Sequence, residues 1–143
     1  MIEAGDEQQL SRLLESGAVL IPARLVAGPL HAVQVVRLAR RNWERGLSRA
    51  RLLPLEALLY AMAASGRDAT RTSLSEVARE GPKPREPLVA VCFEESLCSR
   101  LEEHHPRPSR VEWLNVPEGL ALARSALAAL EVERKRMRIE ETA

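Results

Sequence analysis

Aromatic side chains are scarce in this chain: one Phe, one Tyr and two Trp among 143 residues, 3% in all. A base-stacking platform needs several exposed rings on one surface, so an aromatic nucleic-acid reader of the RRM kind is excluded. Cysteine is scarce too, with only Cys92 and Cys98 in a C-x5-C spacing. A structural zinc site draws its ligands from two close pairs, and no second pair exists. The two thiols therefore read as unpaired residues of a reducing compartment. No run of about 18 apolar residues occurs, which argues against a transmembrane helix. The opening residues, Met1 to Asp6, lack the charged-then-apolar layout of a secretory signal. The expected location is cytoplasmic, with no membrane partner.

Catalytic fingerprints are missing as well. The sequence contains no G-x-x-x-x-G-K-[ST], no G-x-G-x-x-G after a strand and no G-x-S-x-G. His31 stands at a helix start, where packing or hydrogen bonding is its expected role. His104 and His105 sit at a helix end, where histidine complements the helix dipole. The acid pairs Glu94-Glu95 and Glu102-Glu103 read as solvated surface. Nothing assembles a nucleophile, a base and an orienting group, so no catalytic residue, cofactor or metal is expected.

What is present is a globular composition: 45% hydrophobic and 29% charged residues, in a length that suits one domain over 1–143. Charge is balanced overall, 21 basic against 20 acidic residues. Of the basic residues only Lys83 and Lys135 are lysines, leaving nineteen arginines. Guanidinium groups suit bidentate contacts to anions better than point charges do.

Apolar spacing predicts a helix over 6–16 with Asp6 as its cap and Gly17 as its stop. A strand-like run follows over 18–27. A helix over 31–45 places Ala32, Val35, Val36, Ala39 and Trp43 on one face, with Gly46 as its left-handed end. The next helix begins at Pro54 and runs through Met62. Thr70 or Thr72 caps a short helix ending at residue 79, before the proline-rich loop 81–87. Residues 88–93 read as a buried strand, 95–104 as a helix stopped by Pro106 and Pro108, and 110–114 as a further strand. An Ala/Leu-rich helix over 117–131, with Asn115 a possible cap, precedes an edge strand over 132–139. The expected class is α+β: helices packed with a small mixed or antiparallel sheet of about four strands.

Charge is unevenly placed. Between residues 27 and 55 the chain carries Arg37, Arg40, Arg41, Arg45, Arg49 and Arg51 against Glu44 alone. Arg37, Arg41 and Arg45 recur every four residues and line one helix face. Arg67 and Arg71 follow in the next connection, after Ser65-Gly66. Such a stripe is either a solvated face or a set of phosphate contacts on a protein of neutral total charge.

The segment from His31 to Gly46, ending Trp43-Glu44-Arg45-Gly46, resembles the helix of the small tRNA-recruiting, kinase-binding regulatory subunit of the KEOPS complex. In that family a strand of the type Ile-Asn-Ala leads into a helix that opens with His and ends Phe-Glu-Arg-Gly. Here the strand residues are Leu20-Ile21-Pro22-Ala23, and Trp43 takes the Phe position. The family's Glu-x-Leu-Leu-Tyr is present as Glu56-Ala57-Leu58-Leu59-Tyr60. Its C-terminal pattern, Ala-Leu-x-x-Leu and then Glu-Arg before a last strand, is matched by Ala126-Leu127 to Leu130 and by Glu133-Arg134. The family's Gly-x-Arg-Gln-Ile turn is replaced by residues 61–72, which leaves Arg67 or Arg71 in the place of its Arg.

The resemblance implies a non-catalytic subunit. Such a subunit binds a kinase-like ATPase and holds the single-stranded 3′ end of tRNA, while another subunit threonylcarbamoylates the adenosine next to the anticodon. On that basis Arg67, Arg71, Arg37, Arg41 and Arg45 are the expected tRNA contacts. The apolar helix surface at Leu55, Leu59 and Met62 is the expected kinase-subunit contact, because apolar residues cover more than one face there. The competing reading is a helix-mediated protein-interaction module without nucleic-acid contact.

Overall fold

A computed structural model describes residues 1–104 and 110–142. These form six α-helices and one two-stranded antiparallel sheet, an α+β arrangement. Asp6 caps α1 (Glu7–Glu15) by accepting from the Gln9 amide at 2.8 Å, and the Gln9 side chain accepts from the Gly5 amide at 2.7 Å. Gly17 then turns the chain with φ of 93°, a left-handed conformation that favours glycine. It delivers the chain into β1 (Val19–Pro22).

All four residues of β1 are buried, so the strand is covered on both faces. It pairs with β2 (Leu88–Val91), Val19 opposite Val91 and Pro22 opposite Leu88. Ile2 extends this ladder through two 2.8 Å bonds with Leu88. The strand expected over 18–27 is shorter than that. Pro22 has no amide to donate, and residues Ala23–Leu25 turn off as a single 3-10 turn.

The first long helix, α2 (Pro29–Glu44), buries His31, Ala32, Val35, Val36, Ala39 and Asn42. The apolar stripe therefore continues to Asn42 and not to Trp43. Steps of three and four from Ala39 reach both residues, and tertiary packing selects the smaller one. Trp43 stays half-exposed, with its indole N–H donating to the Arg51 carbonyl at 2.8 Å.

The central element is α3 (Leu53–Ala63), in which every residue from Glu56 to Ala63 is buried. It is enclosed by α2, α4 (Leu74–Arg79), β1 and α6 (Glu118–Thr142). This corrects the expected partner surface. Leu59 is 1% exposed and Met62 3% exposed, and both belong to the main core; Leu55 is half-buried against it. Apolar residues all round a helix mean burial on every side, and here the chain's own elements supply the cover.

Ser73 caps α4, accepting from the Glu76 amide at 3.2 Å, where Thr70 or Thr72 was expected. Both threonine hydroxyls are engaged by Asp68, Thr70 on its carboxylate and Thr72 on its carbonyl, each at 2.7 Å. Residues 110–114 form no strand. Leu114 donates to the Val26 carbonyl at 2.9 Å, while Val111 and Trp113 pack half-buried on the core.

The expected edge strand over 132–139 is also absent, because α6 continues as one helix of 25 residues. Arg, Lys, Glu and Met are strong helix formers, and the alternating pattern offers no apolar face for a sheet to bury. The four expected strands thus reduce to two among the described residues. A smaller core cluster of Ile2, Leu10, Leu13, Leu20, Leu88 and Leu101 ties α1 and α5 (Glu95–His104) to the sheet. His105, Pro106 and Pro108, and with them the expected helix stop, lie outside the described residues.

Candidate nucleic-acid interface

The residues that carry the motif pattern in α2 and α3 form a buried polar network, in which Asn42 Oδ1 has no hydrogen-bond partner among the described residues. The Ala27 amide donates to His31 Nδ1 at 3.1 Å, which places the imidazole proton on Nε2. Nε2–H donates to Ser125 Oγ at 2.7 Å, and Ser125 donates in turn to the Tyr60 carbonyl at 2.7 Å. Burial lowers the His31 pKa to about 4, so this ring is neutral and saturated. It ties the start of α2 to α3 and α6, and no ring nitrogen is left to act as a base.

Glu56 plays a comparable role in the loop 47–52. Its fully buried carboxylate accepts from the backbone amides of Arg49 (3.1 Å) and Ala50 (2.8 Å) and from the Tyr60 hydroxyl. Asn42 donates to the Tyr60 oxygen at 3.0 Å and to the Ala129 carbonyl at 3.1 Å. Burial and the neighbouring Glu56 carboxylate raise the Tyr60 pKa, so the phenol keeps its proton. Glu56 thereby aims Arg49, whose guanidinium donates to the carbonyls of Ala69 (3.1 Å) and Thr72.

The α2 arginine stripe is exposed, as its spacing predicts, but it is partly neutralised. Arg41 and Arg45 converge on Glu133 of α6, at 3.6 and 2.9 Å. Arg40 pairs with Glu44 at 2.8 Å and lies 4.2 Å over the Phe93 ring. Arg37 and Arg41 border a groove of about 390 Å³ between α2 and α6, whose floor holds Leu30, Val33, Leu38 and Leu122.

The turn after α3 is where cations gather. Gly66 allows it with φ of 96°. Asp68 organises it by accepting from the amides of Thr70, Arg71 and Thr72. The Thr70 hydrogen bonds hold the Asp68 carboxyl below its ordinary pKa. Those amides are consequently spoken for, and anion contacts here rest on side chains alone.

The turn packs along the basic end of α6, with Lys135 Nζ donating to the Thr70 carbonyl at 3.3 Å. Two adjoining clefts share Thr70 and Lys135. One, of about 160 Å³, is lined also by Arg49, Val132, Arg136 and Ile139. The other, of about 390 Å³, is lined also by Arg71, Glu131, Arg134 and Arg138. Together they are lined by Arg49, Arg71, Arg134, Lys135, Arg136 and Arg138, with Glu131 beside them and Asp68 3.8 Å from Arg71.

Arg67 and Arg71 are thus separated. Arg71, 3.8 Å from Asp68, faces the basic clefts; Arg67, 3.7 Å from Glu76, borders a neighbouring hollow with Arg124 and Leu127. The α2 stripe forms no part of either basic cleft. Sequence reasoning missed Arg49 and the α6 cations. The run Arg134-Lys135-Arg136-Met137-Arg138 was itself the signal, and reading it as a strand spread its charge over two faces.

Elsewhere, Cys92 and Cys98 are free and half-buried. Burial and the adjacent Cys98 push the Cys92 thiol up to about 12, which suppresses the thiolate that metal binding or nucleophilic attack requires. Among the described residues no helix is long and apolar enough to cross a membrane. The chain matches no family model, and neither a curated protein nor a solved structure matches it.

Proposed function

We propose that the chain is a non-catalytic RNA-binding subunit of the KEOPS regulatory type, which recruits tRNA by its single-stranded 3′ end for threonylcarbamoylation by another subunit. One observation carries the nucleic-acid part: the turn holding Arg71 folds against the basic end of α6, so that Arg49, Arg71, Arg134, Lys135, Arg136 and Arg138 line two adjoining clefts. Guanidinium groups at such density suit consecutive phosphates of a single strand, and Arg71 and Arg136 can stack on unpaired bases where aromatic rings are few. The KEOPS assignment rests on the motif resemblance in α2 and α3. The polar network supports a binding role over catalysis, since His31 is spent on tying α2 to α3 and α6 and Glu56 on holding the loop that carries Arg49.

Binding to tRNA should therefore fall with salt, and more steeply for intact tRNA than for tRNA lacking its 3′ end. Arg71→Glu with Lys135→Glu should weaken binding at least about tenfold and flatten the log–log salt slope by roughly 0.7 for every single-strand phosphate that is no longer paired. Reversing Arg12 and Arg100, which lie on α1 and α5, should change it little. Equal losses from both pairs would show that net charge alone governs binding.

The partner surface moves with the burial of Leu59 and Met62. The α2–α6 groove around Leu30, which is 60% exposed, offers an apolar floor rimmed by Arg37 and Arg41. It is the place we assign to the kinase-like ATPase subunit. Leu30→Glu should abolish co-purification with that subunit while tRNA binding persists. Retention of the complex would favour a different surface.

A further inference from the structure

The helix α6 carries two apolar stripes on opposite faces. Its core face is Ala121, Ser125, Ala128, Ala129 and Val132. Half a turn away, Leu120, Ala123, Leu127, Leu130, Arg134 and Met137 recur at alternating steps of three and four. That is the seven-residue repeat of a coiled-coil seam. The face is open: Leu127 is 60% exposed, and Leu120, Leu130 and Met137 are exposed beside it. None of these four belongs to either core cluster.

We infer that this stripe docks on the same stripe of a second copy of the chain, with the two α6 helices antiparallel. The sequence of the stripe is complementary to itself in that direction. With Leu127 set against Leu130 of the second copy, Leu120 meets Met137 and Ala123 meets Arg134, each pairing occurring twice about the two-fold axis. The long Arg134 stem lies over the small Ala123, and its guanidinium reaches the edge of the seam. At the flank, Arg124 comes opposite Glu131, again twice. Arg124 donates to the Ala64 carbonyl through one nitrogen at 2.8 Å and is otherwise exposed, so its fork remains accessible to a carboxylate. A parallel pair would instead stack Arg134 on Arg134 inside the seam. The core face points directly away from the stripe, so both bodies sit outside the joint.

The test is the oligomeric state of the full chain by sedimentation velocity from low micromolar to several hundred micromolar. A concentration-dependent dimer is expected. Leu127→Glu should convert it to monomer with unchanged circular dichroism, since that side chain lies outside the core. Glu131→Arg should weaken the dimer, and adding Arg124→Glu should restore it. With Cys92 and Cys98 replaced by serine, nitroxide labels on Glu141→Cys should lie about 35–40 Å apart, the axial offset of antiparallel helices rising 1.5 Å per residue. A monomer at every concentration overturns the proposal, whether or not another protein covers the stripe. So does a dimer that survives Leu127→Glu, or a label separation under about 20 Å, which marks a parallel pair.

Discussion

His31, Glu56 and Tyr60 show how far a residue's type can be read apart from its neighbours. Each stands where the sequence places a motif, and each is buried in hydrogen bonds with the chain itself. His31 has a measurable consequence. Its pKa falls from 6.5 to about 4 on burial, so below pH 6.5 the unfolded chain binds a proton that the folded chain refuses. The neutral ring's contribution is fully present above pH 6.5 and is lost as pH falls toward 4. The loss should reach about 3 kcal/mol at most, one pKa unit being 1.36 kcal/mol. Urea titrations between pH 7 and 4 should show this slope, and His31→Gln should remove it. Tyr60→Phe should cost roughly 1–3 kcal/mol, because Glu56 loses a donor inside the core while Asn42 loses an acceptor. A melting point within a degree of the parent would mean that water replaces the hydroxyl. The tertiary partners, Ser125 and the 49–50 amides, are far from obvious in the chain order, which is why Glu56 and His31 were legible only as positions in a pattern.

At the scale of elements, local signals decided the well-capped pieces and failed where two demands overlapped. Asp6, Gly17 and Gly46 set the ends of α1 and α2 as their chemistry requires. In α6 the core stripe ends at Val132, so the exposed second half has no buried face to set a helical period and resembled an alternating strand. In α3 an all-apolar surface suggested a spare face, when it reports only that the chain's own elements surround the helix. The helix end is separable from the fold. Val132 is the last core residue of α6, and residues 134–141 are exposed. Ending the chain after Glu133 should therefore leave the melting temperature within a few degrees while removing one wall of both basic clefts. Affinity for tRNA should drop at least about tenfold, equivalent to 1.4 kcal/mol or more. Unchanged affinity would move the binding site to the α2 stripe, where Glu133→Gln, by releasing Arg41 and Arg45, should then tighten it.

For the whole molecule, a formal net charge of +1 conceals an uneven distribution, with cations gathered where the end of α6 meets the 66–72 turn. The fold pairs Glu133 of α6 with Arg41 and Arg45 of α2, while the α6 cations that follow it lie against the 66–72 turn. Phosphate contacts in these clefts should make the proposed RNA binding more salt-dependent than the net charge suggests, and titrations between about 50 and 200 mM salt measure it. Sequence by itself determined the class of the molecule, the positions of most helices, the burial of the strand at Leu88–Val91 and the presence of an arginine-rich surface. Those properties follow from periodicity, capping and composition, which act over a few residues. Only the tertiary structure decided which arginines meet, since Arg49, Arg71 and Lys135 are joined by carbonyls of one turn and not by chain order. It likewise decided that Leu59 and Met62 are interior and that α6 keeps an open apolar face, because burial depends on what the rest of the chain brings alongside.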